Sequence, residues 1–164
     1  MSTRGRVESI HVTETAGEPM RTLDEVRAIG GQGLEGDRYC LGQGTYSDMT
    51  GPRRQVTLIE REVLEAIERD HEIALAPAET RRNIVTRGVA LTHLVGTTFK
   101  VGEVVLRGIK INEPCRYFEN LVEIPGLEDA LMHRSGLNAE VIGEGLIRVG
   151  DAIEPAEDNQ DSTR

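Results

Sequence analysis

Gly96-Thr97-Thr98-Phe99-Lys100-Val101-Gly102-Glu103-Val104-Val105-Leu106-Arg107-Gly108-Ile109-Lys110-Ile111 is the stretch on which the fold turns. Thr97 to Val101 reads as one strand and Glu103 to Ile111 as a longer one, with Val104, Leu106 and Ile109 along it. Gly96 and Gly102 punctuate the pair. Short runs rich in β-branched residues and bounded by glycine are strand signals. The same texture extends in both directions. Residues 5–13 alternate through Val7, Ser9 and His11 against Ile10 and Val12, residues 24–29 are weaker, and Gln55 to Ile59 and Asn83 to Val85 read as strands. Glu140 to Ile142 and Ile147 to Val149 are terminal strands around Gly143 and Gly145. Helical period is confined to Glu60–Leu75, where Val63, Leu64, Ile67, Ile73 and Leu75 recur, and to short segments at 116–122 and 127–133. Many short strands without βαβ alternation predict a mainly β fold, a closed β-barrel with a few short helices.

The 164 residues point to one domain. A chain of this size buries roughly 70% of its unfolded surface and needs neither disulfides nor a structural metal. With 19 Lys+Arg against 28 Asp+Glu the net charge is −9, which argues against nucleic acid as a partner because phosphate contacts need a clustered basic face. Three Tyr and two Phe are too few for a base-stacking platform. The basic residues are 17 Arg and only Lys100 and Lys110, which leaves few candidates for a Schiff-base or phosphate-loop lysine. No apolar run approaches the ~20 residues of a membrane helix, so no membrane partner is expected. Charged Met1–Arg6 has no apolar h-region after it, so the expected compartment is the cytoplasm and a Cys40–Cys115 disulfide is not expected.

Gly31-Gln32-Gly33-Leu34-Glu35-Gly36 has the dinucleotide-binding spacing, but Asp37 to Gly44 is a poor helix and the pyrophosphate would have no helix N-terminus to sit on. The dinucleotide reading is rejected. The glycines then serve either a tight turn with positive φ or a lid over residues Gly30–Gly51 that presents Asp37 and Arg38 to a ligand. Asn112-Glu113-Pro114-Cys115-Arg116-Tyr117 follows a strand and precedes a short helix. A cysteine beside Arg116 at a helix start is favoured as thiolate, the nucleophilic, sulfur-carrying and metal-binding form; the alternative is a small buried hydrophobe, the reading preferred for Cys40. Arg81-Arg82-Asn83, with Arg53-Arg54 upstream, offers guanidinium forks for an anionic ligand or else neutralises neighbouring carboxylates. Tyr39, Tyr46, Tyr117 and Phe118 lie near these motifs and either wall a pocket or fill the core. His11, His71, His93 and His133 share no metal-ligand spacing and are expected at the surface.

The order Gly33-Leu34-Glu35-Gly36-Asp37-Arg38-Tyr39, Arg54-Gln55-Val56-Thr57-Leu58-Ile59-Glu60, Arg81-Arg82-Asn83-Ile84-Val85-Thr86-Arg87-Gly88, Glu113-Pro114-Cys115 and Gly145–Asp151 resembles the MOSC domain, named for the C-terminal part of molybdenum cofactor sulfurases. The resemblance covers residues 20–154 and is to the stand-alone, bacterial-type members; residues 1–19 would add a strand to the same barrel, and 155–164 would be a disordered acidic tail. It implies a barrel of the pyruvate kinase type. It implies that Cys115 carries sulfur as a persulfide or ligates molybdenum, and that Arg81, Arg82 and Asn83, with Arg54, Thr57, Asp37, Arg38 and Arg116, hold the pterin cofactor (molybdopterin) and its phosphate. A cysteine desulfurase or an electron-donating reductase is the implied partner. No desulfurase domain accompanies the barrel, so pyridoxal phosphate is not expected on this chain. The functions implied are cofactor binding or sulfur carriage, a molybdenum-dependent reductase of N-hydroxylated compounds, or a non-catalytic barrel that binds a small anion.

Overall fold

The structure is a computed structural model that describes residues 5–44, 55–114 and 116–156. The chain opens with β1 (Gly5–Val12), β2 (Arg21–Leu23), β3 (Glu25–Ile29) and β4 (Gly33–Leu34). After residues outside the description come β5 (Val56–Glu60), α1 (Arg61–His71), a 3-10 turn at Pro77–Thr80, β6 (Ile84–Arg87) and a second 3-10 turn at Leu91–Leu94. Then follow β7 (Thr98–Val101), β8 (Val104–Ile111), α2 (Arg116–Val122), α3 (Leu127–Leu131), β9 (Leu137–Gly143), β10 (Gly145–Arg148) and β11 (Ala152–Pro155). Among the described residues no helix is long and apolar enough to cross a membrane.

Seven strands close into a barrel in the order β11-β7-β8-β9-β5-β6-β1, and the β1–β11 pairing shuts the ring. β2 hangs on the outside of β1, and β10, β3 and β4 form a separate three-stranded sheet. Every barrel pair is antiparallel except β5–β6, which are parallel with Leu58 opposite Ile84 and Ile59 opposite Val85. Parallel neighbours need a long crossover, and α1 supplies it, so the barrel contains one βαβ unit that the sequence pattern does not reveal.

Alternation along the strands sorts the apolar residues into two layers. Leu58, Ile84, Phe99, Leu106, Leu137 and Ala139 fill the barrel interior, all fully buried. Ile59 and Val85, their outward neighbours, pack against Leu64 and Ile67 of α1, Phe118 of α2, and Leu127 and Leu131 of α3. Each fully buried Leu or Phe contributes about 1.5–3 kcal/mol relative to exposure. The helices therefore lie on one side of the barrel only, over β5 and β6.

Several elements differ from the sequence expectation. The Gly30–Gly51 loop contains β4, which pairs with β3 through Ala28–Leu34 and Ile29–Gly33. Gly31, Gly33 and Gly36 sit at φ of 73°, 127° and 85°, so the motif is a hairpin turn, and only turns follow Asp37. A Cβ on Gly33 would stand 2.6 Å from the Gln55 carbonyl oxygen, so the site admits no side chain. The chain reaches further than the expected terminal strands: Ile153 of β11 pairs with Val101, and Pro155 with Phe99. Residues 157–164, Tyr46 and Arg54 lie outside the described residues. His11 is a correction as well: expected at the surface, it is only 2% exposed, whereas His71, His93 and His133 are exposed.

Candidate functional site

Among the described residues twelve polar or charged ones are buried: His11, Thr13, Asp37, Arg38, Thr57, Thr80, Arg82, Asn83, Thr86, Asn112, Ser135 and Asn138. All but His11 and Thr86 converge where β6, β5 and β9 begin or turn outward at one end of the barrel. Buried polar groups need partners, so the network among these side chains defines the site.

At the β1 side, Asp37 is fully buried and its carboxylate accepts the Thr13 N–H at 3.3 Å and the Tyr39 N–H at 3.2 Å. The same carboxylate receives an Arg38 guanidinium N–H at 3.0 Å. Arg38 reaches on to the Arg81 carbonyl at 3.3 Å and lies 4.7 Å from the centre of the Tyr39 ring. Asp37 thus anchors the turn and aims Arg38. Arg81 has φ of 64°, a conformation side chains rarely adopt, and one of its N–H groups donates to the Glu18 carbonyl at 2.5 Å. Burial, and then the like charge of Arg38, hold the Arg81 guanidinium below its usual pKa. Both effects are relieved by an anion.

Across the next strand, Asn83 is fully buried and stitches three elements together. Its side-chain N–H donates to the His11 carbonyl at 3.0 Å, while its oxygen accepts the Thr57 N–H at 3.0 Å and the Thr57 hydroxyl at 3.2 Å. The Asn83 N–H in turn donates to the Thr57 hydroxyl oxygen at 3.1 Å. Arg82 donates to the Ser135 carbonyl at 2.9 Å and hydroxyl at 2.6 Å, with its guanidinium 5.5 Å from the centre of the Phe118 ring. Of the sequence-predicted residues, then, Asp37, Arg38, Arg81, Arg82, Asn83 and Thr57 come together. Arg116 is the first residue of α2, and Cys115 and Arg54 lie outside the described residues.

Ser135 and Asn138 lie in no sequence motif, and Asn112 enters only as the first residue of the Asn112–Tyr117 stretch. Asn138 pairs in register with Thr57 on β5 and with Lys110 on β8. Asn112 donates from its side chain to the Asn138 side-chain oxygen at 2.6 Å, and its own N–H donates to the Gly136 carbonyl at 2.8 Å. The side-chain nitrogen of Asn138 is buried with no hydrogen-bond partner among the described residues. Beyond Asn112, Glu113 clamps His133 through the backbone N–H at 2.7 Å and the ring Nδ1 at 3.0 Å, and buried Pro114 leads directly to Cys115. Cys40 is half-buried; burial, then the charges of Asp37 and Glu35, push its thiol pKa up, away from the reactive form. Among the described residues no group of three His, Cys, Asp or Glu is arranged to hold a metal ion.

The fold recurs in solved structures at low identity. The YuaD protein from Bacillus subtilis aligns with a TM-score of 0.77 at 19% identity, covering 94% of this chain and 98% of that one. YiiM from Escherichia coli aligns at 0.68 and 21% identity, covering 97% and 72%, and YiiM from Geobacillus stearothermophilus at 0.71 and 16%, covering 96% and 78%. No curated protein matches the sequence. The family model of the MOSC domain matches residues 45–154, which spans β5 to β11 and with them most of the buried polar cluster, and the chain belongs to that family.

Proposed function

We propose that this chain binds the molybdenum cofactor or carries sulfur for it, with Cys115 as the group that ligates molybdenum or bears the persulfide. Membership of the MOSC family implies a molybdenum cofactor-related function in general. The observation that carries the reading is the charge around the turn after β4: among the described residues, buried Arg38 and half-buried Arg81 share one buried carboxylate, that of Asp37, and the like charge of Arg38 acts on Arg81. Two guanidinium groups drawn out of water around one carboxylate favour an added anion, and their planar forks suit a phosphate.

The residues fit a phosphate-bearing pterin. Arg38 and Arg81 would hold the phosphate. Asn83 and Thr57, each engaged with the other and with backbone, would keep the arginines' strand in place rather than touch the ligand. When bound, the cofactor supplies molybdenum with its sulfur ligands. Should Cys115 carry sulfur instead, its thiolate attacks the outer sulfur of a desulfurase persulfide; the old S–S bond breaks, a new one forms on Cys115, and the donor leaves as thiolate.

Mass spectrometry and metal analysis of untreated protein from a cofactor-competent host test this. Molybdenum near one per chain, or an added 32 Da (about one sulfur) on the peptide holding Cys115, is the expected result. Cys115→Ala should abolish the sulfur adduct or cut the metal content at least about tenfold, as loss of a metal ligand does. Full loading of Cys115→Ala would refute the role of the cysteine, and absence of both signals would leave a barrel that binds a small anion. A cysteine desulfurase or a reductase is the partner that either chemistry needs.

A further inference from the structure

The cluster runs across the barrel in a fixed strand order. Thr13, with Asp37 and Arg38 attached, follows β1; Arg81, Arg82 and Asn83 precede β6; Thr57 lies on β5, Asn138 on β9, and Asn112 follows β8. From β1 to β9 are three strand spacings, about 14 Å at about 4.8 Å each. Arg38 and Arg81 occupy the first part of that distance, while Arg82 reaches on to Ser135 just before β9. The far part also holds the amides of Asn112 and Asn138, and there Asn138, 1% exposed, has no acceptor for its side-chain N–H2 among the described residues.

An unsatisfied buried donor is costly and uncommon in a native fold. The cost here is not incidental to packing. Asn112 donates to the Asn138 oxygen at 2.6 Å and so fixes which end of the amide is turned toward the unpartnered position. Among the described residues no carboxylate or hydroxyl answers it, although Thr57 stands in register beside it and is engaged with Asn83 instead.

We propose that Asn138, oriented by Asn112, is the second recognition point of this site: its free N–H takes a neutral acceptor atom of the ligand whose anionic end lies on Arg38 and Arg81. The inference rests on the reading of the cluster as a ligand site and deepens it. The ligand is then an anion of at least about 10 Å that carries a carbonyl or ring-nitrogen acceptor at its other end, as a phosphorylated pterin does, and inorganic phosphate alone satisfies only half of the site. Asn138 is covered in this state, so the contact is made as binding parts the side chains over it rather than in an open slot.

Two measurements test it. In the first, the side-chain 15N–1H signals of Asn138 and the guanidinium Nε–H signals of Arg38 and Arg81 are followed while the full chain is titrated with inorganic phosphate and, separately, with pterin-6-carboxylate. Phosphate should move only the arginine signals; pterin-6-carboxylate should move both sets. An Asn138 signal that ignores the pterin and shows transfer only to a bound water overturns the proposal, because the donor then serves an internal water.

In the second, the paired substitution Asn112→Leu with Asn138→Leu removes donor and acceptor together, which leaves no new orphan and should hold the melting temperature close to that of the wild type. Molybdenum and pterin retained per chain after gel filtration should fall about tenfold, the worth of one hydrogen bond to the ligand. Unchanged retention overturns the proposal. Asn138→Asp gives a second variant that keeps the acceptor for Asn112 while deleting the donor when ionised, and should lose retention more steeply above neutral pH. A wild type that holds no molybdenum, yet whose Asn138 signal still moves with pterin-6-carboxylate, would refute the cofactor assignment and leave the Asn138 contact standing.

Discussion

The imidazole of His11 lies between Ser9 Oγ and Thr22 Oγ1, at 2.8 and 3.0 Å. Its backbone is tied to Asn83 in both directions, through the His11 N–H to the Asn83 carbonyl at 2.7 Å and the Asn83 side chain to the His11 carbonyl at 3.0 Å. Burial lowers its pKa from 6.5 to about 4. Hydroxyls can serve a neutral ring but do not neutralise a charged one, so the folded protein resists the proton that the unfolded chain accepts. The contribution of His11 to stability is therefore whole above about pH 6.5 and is lost as pH falls toward 4. His11→Gln can keep both hydroxyl partners and does not titrate. In urea unfolding between pH 7.5 and 4.5, the variant should lose about 2 kcal/mol less than the wild type. Parallel losses in the two proteins would mean that the ring is hydrated in the folded state.

At the level of elements, α1 shows how an apolar pattern can outrun the helix that it describes. Periodicity from Glu60 predicts a helix to Leu75, yet the helix stops at His71 and Glu72 turns to φ 58°, ψ 35°. The Glu72 N–H donates to the Glu68 carbonyl at 3.1 Å, which is the bond of an αL closure, and the Ile73 N–H reaches the Ile67 carbonyl at 3.3 Å. Ile73 and Leu75 remain apolar because they pack on the outer layer after the helix has ended. Glu72→Gly, which suits the left-handed turn, should raise stability by about 1 kcal/mol and the melting temperature by roughly 2–4 °C; a decrease would show that the Glu72 side chain makes an interaction worth more than the backbone strain. The strands divide in the same way. β7 and β8 are legible from alternation, whereas β2 and β4, of three and two residues, are too short to show a period and exist through their partners. In the site, Arg81-Arg82-Asn83 stands out because charges cluster in sequence. Ser135 and Asn138 do not, and Asn112, although it opens the stretch that leads to Cys115, meets Asn138 only after β8 and β9 pair; the sequence clue to Asn138 is its place between Leu137 and Ala139, where strands disfavour asparagine.

At the scale of the whole molecule, the barrel closes through its two ends, with Gly5 opposite Ile153 and Arg6 opposite Ala152. Around the ring of seven strands β11 is three steps from β9 and from β5 by either route of least length, so the seam faces the Thr57 and Asn138 part of the cluster across the barrel, while Thr13 follows the end of β1 opposite to Gly5. Ile153 is 3% exposed and packs in the inner core. Ile153→Ala should cost about 3 kcal/mol, through lost burial and the cavity left behind. For a domain of this length that lowers the melting temperature by roughly 10 °C. Sites more than about 10 Å apart with no shared partner contribute independently, so the weakened seam should leave the cluster as it was. Below the transition, Ile153→Ala is expected to retain the wild-type molybdenum and pterin per folded chain. In protein without cofactor, the hydrogen-exchange protection of the Asn83 and Thr57 N–H groups relative to the global unfolding limit should likewise be unchanged. Loss of retention in Ile153→Ala would mean that closing the ring sets the spacing of β6, β5 and β9, and that the site is a property of the barrel as a whole rather than of the three strands that carry it.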